Sequence, residues 1–106
     1  MDNWLKDIID DFKASLQRLY GQRLVDIVLY GSYARDEQTD DSDIDLAVIL
    51  AGDVSPGLEI DKMIDDINDI SEKYNVLISV YPVSEADYSS VNSPLLMNMR
   101  KEGIIA

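Results

Sequence analysis

The 106-residue sequence contains neither cysteine nor histidine. Without cysteine there are no disulfides and no thiolate metal sites, and without histidine the commonest transition-metal ligand and the usual general base are gone. Chemistry is left to carboxylates, hydroxyls and hard cations. Positive charge is scarce as well: 9 lysines and arginines stand against 21 aspartates and glutamates, a formal net charge of -12. That excess opposes unaided binding to nucleic acid or to an anionic membrane surface, so a polyanionic ligand would have to come with metal ions or a basic partner. Long apolar runs are also missing, and the amino terminus, MDNWLKDIIDDF, is acidic and amphipathic rather than basic and then apolar. A soluble cytoplasmic protein is expected, with no direct nucleic-acid contact and no membrane contact.

What is present suffices for one core. A hydrophobic content of 46% over this length predicts a single domain spanning residues 1–106. In residues 2–20, Leu5, Ile8, Ile9, Phe12, Leu16 and Leu19 recur at steps of three and four, one face of an amphipathic helix, with Asp7, Asp10 and Asp11 turned to water. LVDIVLY reads as a strand covered on both faces and ended by Gly31-Ser32. After a polar turn, SDIDLAVIL is a second strand that enters the core from a charged end. Ser55 and Pro56 fit the cap and first position of a helix carrying Ile60, Met63, Ile64, Ile67 and Ile70. VLISVYPV is a third strand closed by Pro82, SEADYSS a loop or short helix, and SPLLMNMRKEGIIA a last helix ended by Gly103. The order predicts an α/β (α+β) fold, a small mixed sheet of three or more strands flanked by helices, with the first two strands antiparallel.

The chemistry concentrates in LYGSYARDEQTDDSDIDLAVIL, residues 29–50. Asp43 and Asp45 are two apart on a predicted strand, so their side chains leave one face with roots roughly 7 Å apart, while Ile44 and Leu46 point into the core. Such a pair suits Mg²⁺, which is often held by one or two carboxylates together with substrate phosphates, in a one-metal or two-metal arrangement. Gly31 lets backbone N–H groups approach an anion closely, and the Ser32 hydroxyl adds a donor, so a nucleoside triphosphate could lie between this turn and the metal. Ser32 could also cap a short helix. Arg35, the lone cation of the stretch, is divided between a phosphate contact and a structural ion pair. A calcium loop fails: Asp41, Asp43 and Asp45 fit its first, third and fifth places, but Leu46 stands at the sixth and Gly52 at the twelfth. The acids of residues 59–73 read as a solvated helix face. Tyr30, Tyr33 and Tyr81 read as core or rim residues, and Trp4, Met97 and Met99 as core or a partner surface.

Gly31-Ser32, ten residues, then Asp43-Ile44-Asp45 resembles the GS-x10-D-x-D signature of the nucleotidyltransferase superfamily that includes DNA polymerase β. The fuller form, GSYAR…SDIDL, is similar to the minimal nucleotidyltransferases (MNT), antitoxins paired with HEPN-domain toxins. The resemblance implies a nucleotidyltransferase fold, Mg²⁺ on Asp43 and Asp45, nucleotide phosphates on Gly31 and Ser32, and ATP as donor. It also implies a hetero-oligomer in which AMP passes to a tyrosine hydroxyl of a HEPN ribonuclease toxin and silences it. Alternatives are a catalytically weak MNT protein that neutralises the toxin by binding alone, or nucleotidyl transfer to a small hydroxyl compound, which the lack of a substrate domain disfavours. Two departures stand out: Asp36 replaces a frequent glycine, and VLISVYPV carries no acid where active relatives have a third carboxylate, Ser79 or Leu77 being nearest.

Overall fold

The computed structural model describes residues Met1–Ala106. Its elements run α1 (Asn3–Tyr20), a 3₁₀ turn (Gly21–Arg23), β1 (Leu24–Tyr30), α2 (Gly31–Ala34), β2 (Ile44–Leu50), α3 (Pro56–Tyr74), β3 (Ile78–Ser84), α4 (Glu85–Ser90), α5 (Pro94–Glu102) and β4 (Ile104–Ile105). The four strands form one sheet in the order β3-β2-β1-β4. β1 is antiparallel to β2 and to β4, while β2 and β3 are parallel. The predicted mixed sheet with an antiparallel first pair is therefore observed. No helix is long and apolar enough to cross a membrane.

Alternation along β2 explains why its sequence is continuously apolar. Ile44, Leu46, Val48 and Leu50 face a cluster with Leu5, Ile8, Phe12 and Leu16 of α1 and Met63, Ile67 and Ile70 of α3. Ala47 and Ile49 face the opposite cluster, with Val28, Val83 and, from α5, Leu96 and Met99. Both sides of the central strand are thus dry, and each fully buried Leu, Ile or Phe contributes about 1.5–3 kcal/mol. Asp45 falls on the second, α4/α5 side, one position before Leu46 turns back into the main core.

Several local expectations need correction. Leu19 and Ile64 are exposed, because the apolar stripes of α1 and α3 are narrower than their sequences suggest. Ser55 occupies the cap position of α3, yet its side chain makes no capping bond. β3 does not stop at Pro82: it runs to Ser84, with Pro82 level with Val48. An edge strand tolerates a residue that cannot donate, since one side of its ladder needs no partner. The chain after Gly103 forms β4 beside Val28 and Leu29, a two-residue strand too short to show a period. Trp4 and Met97 are exposed, whereas Met99 is buried. Asp11 does not face water alone; it accepts from Lys73 Nζ at 2.8 Å and from the Tyr74 hydroxyl, tying α1 to the end of α3.

Candidate active site

The link between β1 and β2 starts with a glycine that nothing else could replace cheaply. Gly31 sits at φ +74°, in the left-handed region, and a Cβ there would run into the Asp45 carboxylate, whose Cγ it would meet at 3.2 Å. The close approach of backbone to carboxylate is thus set by the missing side chain. Ser32 follows in the single turn of α2. Arg35 N–H donates to the Gly31 carbonyl at 3.2 Å and Glu37 N–H to the Ser32 carbonyl at 2.9 Å, which closes the turn through backbone alone. The Ser32 hydroxyl is therefore not used as a cap, and α2 has no side-chain capping bond. Asp36 takes φ +56°, so the turn that glycine would make easily is kept by aspartate, which tolerates this region better than most residues.

Asp43 lies one residue before β2 rather than on it, and is exposed, while Asp45 is the second residue of the strand and half-buried. The Ile44 N–H donates to the Leu77 carbonyl at 2.9 Å, fixing the backbone between the two aspartates. Across the sheet, Asp45 pairs with Tyr30 on β1 and Ser79 on β3. Of the two residues nearest the place of a third acid, Ser79 is level with Asp45, and Leu77 lies beside the link between Asp43 and Ile44. No group of three carboxylates is close enough to share a metal ion.

The electrostatics of the pair suit a divalent cation. Burial first, and then the charge of Asp43, push the Asp45 carboxyl above the usual carboxylate range, with Arg35 opposing weakly. Neither aspartate has an ion-pair partner in the chain. Two acceptor-only groups with no protein cation between them suit a hard divalent ion with oxygen ligands. Tyr30 is pushed up to about 12 by burial, Asp45 and Tyr81, so its hydroxyl stays protonated on the same face. Arg35 is engaged elsewhere, with Glu37 at 3.2 Å and, more loosely, with Glu102 at 3.8 Å. It stands beside Tyr30, Gly31 and Asn98 in a recess of about 200 Å³.

The sign of the Asp45 shift makes a prediction. A carboxyl whose folded pKa is raised works against folding once it ionises, and that cost vanishes below its ordinary value of 3.8. Asp45→Asn is therefore expected to raise the thermal midpoint of the metal-free protein at neutral pH, with the gain shrinking as the pH falls toward 3.8. Thermal scans over a pH series check it.

Sequence reasoning brought together Gly31, Ser32, Asp43 and Asp45, and the fold places all four at one end of β1 and β2. It missed Tyr30 as the cross-strand neighbour of Asp45, because the register across the Gly31–Asp43 link cannot be counted from spacing alone.

A mixed sheet layered by helices, with a Gly-Ser turn against the mouth of the next strand, is the architecture of nucleotidyl-transfer domains. Residues 9–94 match the nucleotidyltransferase domain family, and the chain belongs to it. A protein of Methanocaldococcus jannaschii named "putative protein adenylyltransferase" is 34% identical over 96 residues, 90% of each chain. A second protein of that organism with the same name is 33% identical over 98 residues, covering 90% of this chain and 66% of its own. Among solved structures, a toxin–antitoxin with AMP-PNP aligns at a TM-score of 0.59 and 22% identity, over 91% of this chain and 70% of that one. A mutant toxin–antitoxin, MntA-HpeT, aligns at 0.57 and 21% identity, over 98% and 72%. These two likenesses bear on the fold.

Proposed function

We propose that the chain is a cytoplasmic antitoxin that transfers AMP from Mg·ATP to a tyrosine hydroxyl of a HEPN ribonuclease toxin, working in a hetero-oligomer with it. The observation that carries this reading is the convergence of Asp43 and Asp45 with Gly31 and Ser32 at the mouth of β2, in a chain whose relatives are named adenylyltransferases. A toxin–antitoxin of the same fold solved with AMP-PNP supports nucleotide use and a toxin as partner.

Bound magnesium would neutralise phosphate charge and polarise the reacting phosphoryl group. Asp43 and Asp45 would hold it. The Gly31 backbone admits the phosphates closely, the Ser32 hydroxyl donates to a phosphate oxygen, and Arg35 reaches the outer phosphates from the rim. The tyrosine oxygen forms a bond to the α-phosphorus, the bond to the bridging oxygen breaks, pyrophosphate leaves and the phenolic proton passes to solvent.

One observation favours a second reading, in which the chain neutralises its partner by binding alone. Ser79, not an acid, stands beside Asp45, so the chain supplies no third carboxylate to take the acceptor proton. Ser79→Asp tests how much that absence matters: it is expected to raise the rate of transfer several-fold at saturating Mg·ATP. An unchanged rate would mean that the acceptor proton is taken up elsewhere. The two readings separate when the protein is incubated with Mg²⁺, labelled ATP and the product of the adjacent reading frame. Label on a partner tyrosine supports transfer; a tight, inhibited and unlabelled complex supports binding alone.

A further inference from the structure

The recess of about 200 Å³ opens between the Gly31 turn and α5. Tyr30, Gly31 and Arg35 form one wall. The other is α5, through Leu95, Asn98 and Glu102, with the buried Met99 behind them. These four helix residues stand at i, i+3, i+4 and i+7, so a single face of α5 is turned toward the Gly31 turn. That face is held firmly. A Cβ on Gly103 would strike the Met99 carbonyl and come within 2.5 Å of Val28 Cγ1, so the missing side chain lets the end of α5 lie against β1. Arg100 ties the helix back to the chain before it: Nη1 donates to the carbonyls of Tyr88 at 2.7 Å and Val91 at 2.8 Å. The Asn98 carboxamide, by contrast, belongs to an exposed residue and makes no hydrogen bond within the chain.

We infer that this recess seats the adenine ring of the nucleotide and that Asn98 selects the base; the inference rests on the transfer reading above. Size excludes a whole nucleotide, since pockets that enclose a drug-sized ligand hold about 300–1,000 Å³. Charge favours a neutral ring over an ion, because Arg35 and Glu102 on the two walls are of opposite sign and 3.8 Å apart. Position excludes the acceptor. In the sheet, Ser79 flanks Asp45 on one side and Tyr30 on the other. The acceptor belongs on the Ser79 flank, where a third acid would take its proton, which leaves the β1 flank to the nucleoside. There the exposed Leu95 covers the ring. Asn98 Oδ1 accepts from the adenine N6 amino group and Nδ2 donates to N7, the bidentate pairing of asparagine with adenine. Guanine presents two acceptors on that edge, O6 and N7, and calls for an arginine fork. Arg35 is drawn instead to Glu37 and Glu102 and, in the transfer reading, to phosphate.

The test is calorimetry on the full chain with Mg²⁺ and three titrants: AMP-PNP, GMP-PNP and inorganic tripolyphosphate. AMP-PNP is expected to bind about five- to twentyfold more tightly than GMP-PNP, the lower part of the range for one bidentate pair. Asn98→Ala abolishes that preference by weakening AMP-PNP alone, Leu95→Ala weakens both nucleotides, and neither changes tripolyphosphate binding. Met97→Ala, on the same helix but outside the recess, leaves all three at their wild-type values. Equal affinity of the wild type for the two nucleotides would overturn the inference. So would an Asn98→Ala protein that keeps the preference, or AMP-PNP binding no tighter than that of tripolyphosphate. Tripolyphosphate reports separately on the transfer reading. Its Mg²⁺-dependent binding, lost in Asp45→Ala, supports the phosphate and metal site whatever the base does, and its failure to bind the wild type would contradict that site.

Discussion

Asp43→Ala and Asp45→Ala are each expected to cut AMP transfer by about a thousandfold while leaving the protein folded. The magnitude follows from the metal: an ion that neutralises the transferring phosphoryl group supplies several kcal/mol of transition-state stabilisation, and about 4 kcal/mol corresponds to about three powers of ten in rate. With no third carboxylate in the cluster, losing either aspartate leaves a single protein ligand. Folding is spared because Asp43 is exposed outside the strand and Asp45 has no hydrogen-bonded partner whose loss would leave a buried group unpaired. The rate is measured as label transferred per minute at saturating Mg·ATP, with circular dichroism as the control. A tenfold loss or less in both variants would remove the pair from the chemistry.

Arg23→Met is expected to destabilise the protein by about 3–5 kcal/mol. Arg23 closes the far end of the sheet from the Asp43–Asp45 pair. Its Nε donates to the Ala51 carbonyl at 3.0 Å and its Nη2 to the Asp53 carbonyl at 2.6 Å. The same Nη2 lies 2.7 Å from Glu59 Oε2. Glu59 is 2% exposed, the one charged residue in the interior, and its other contacts are Tyr20 at 3.2 Å and the outlying Lys62 at 3.5 Å. Without Arg23 a buried carboxylate is left largely uncompensated. At about 4–8 °C per kcal/mol for a domain of this size, the midpoint should fall by roughly 12 °C or more.

The same pair sets a pH dependence. The Arg23 hydrogen bond holds the Glu59 carboxyl below its ordinary value of 4.5. A depressed folded pKa stabilises the protein above the ordinary value, and the benefit is lost as pH falls through the depressed one. The gap between wild type and Arg23→Met should therefore close in two stages as the pH falls, above 4.5 as the stranded Glu59 of the variant takes up a proton and below 4.5 as the wild-type pair does. Arg23→Met combined with Glu59→Leu should recover most of the loss, because an apolar pair of similar volume replaces the ion pair without stranding a charge. Urea melts at two pH values check both statements, and transfer rates well below the midpoint should be unaffected.

Glu59 departs from the solvated helix face that its sequence predicts, because along α3 nothing distinguishes it: a glutamate among many acids looks like the others. What buries it is Arg23, far away in sequence and in a turn with no period of its own, so only the packed fold reveals the pair. By contrast α1, β1 and β2 were legible because one-sided and continuous apolar patterns report directly which faces lose water. The Gly31-Ser32 turn and the two aspartates were legible as a group for a related reason: their spacing between two apolar runs places them at one end of β1 and β2. Ser79 shows the intermediate case. Its strand was readable, but whether it or Leu77 lies beside Asp45 depends on the parallel register with β2, which spacing does not encode. The recess beside Gly31 was illegible altogether, since its walls come from separate stretches of chain.

The central claim is that Asp43 and Asp45 serve a metal-dependent nucleotidyl transfer. It is tested most directly by incubating the protein and the product of the adjacent reading frame with ATP labelled on either the α- or the γ-phosphate, with Mg²⁺ or with a chelator. The account predicts that α-label becomes covalently attached to a partner tyrosine, that γ-label appears only in released pyrophosphate, and that both signals vanish with chelator or in Asp45→Ala. Attachment of γ-label, or α-label transfer that survives Asp45→Ala, would contradict it.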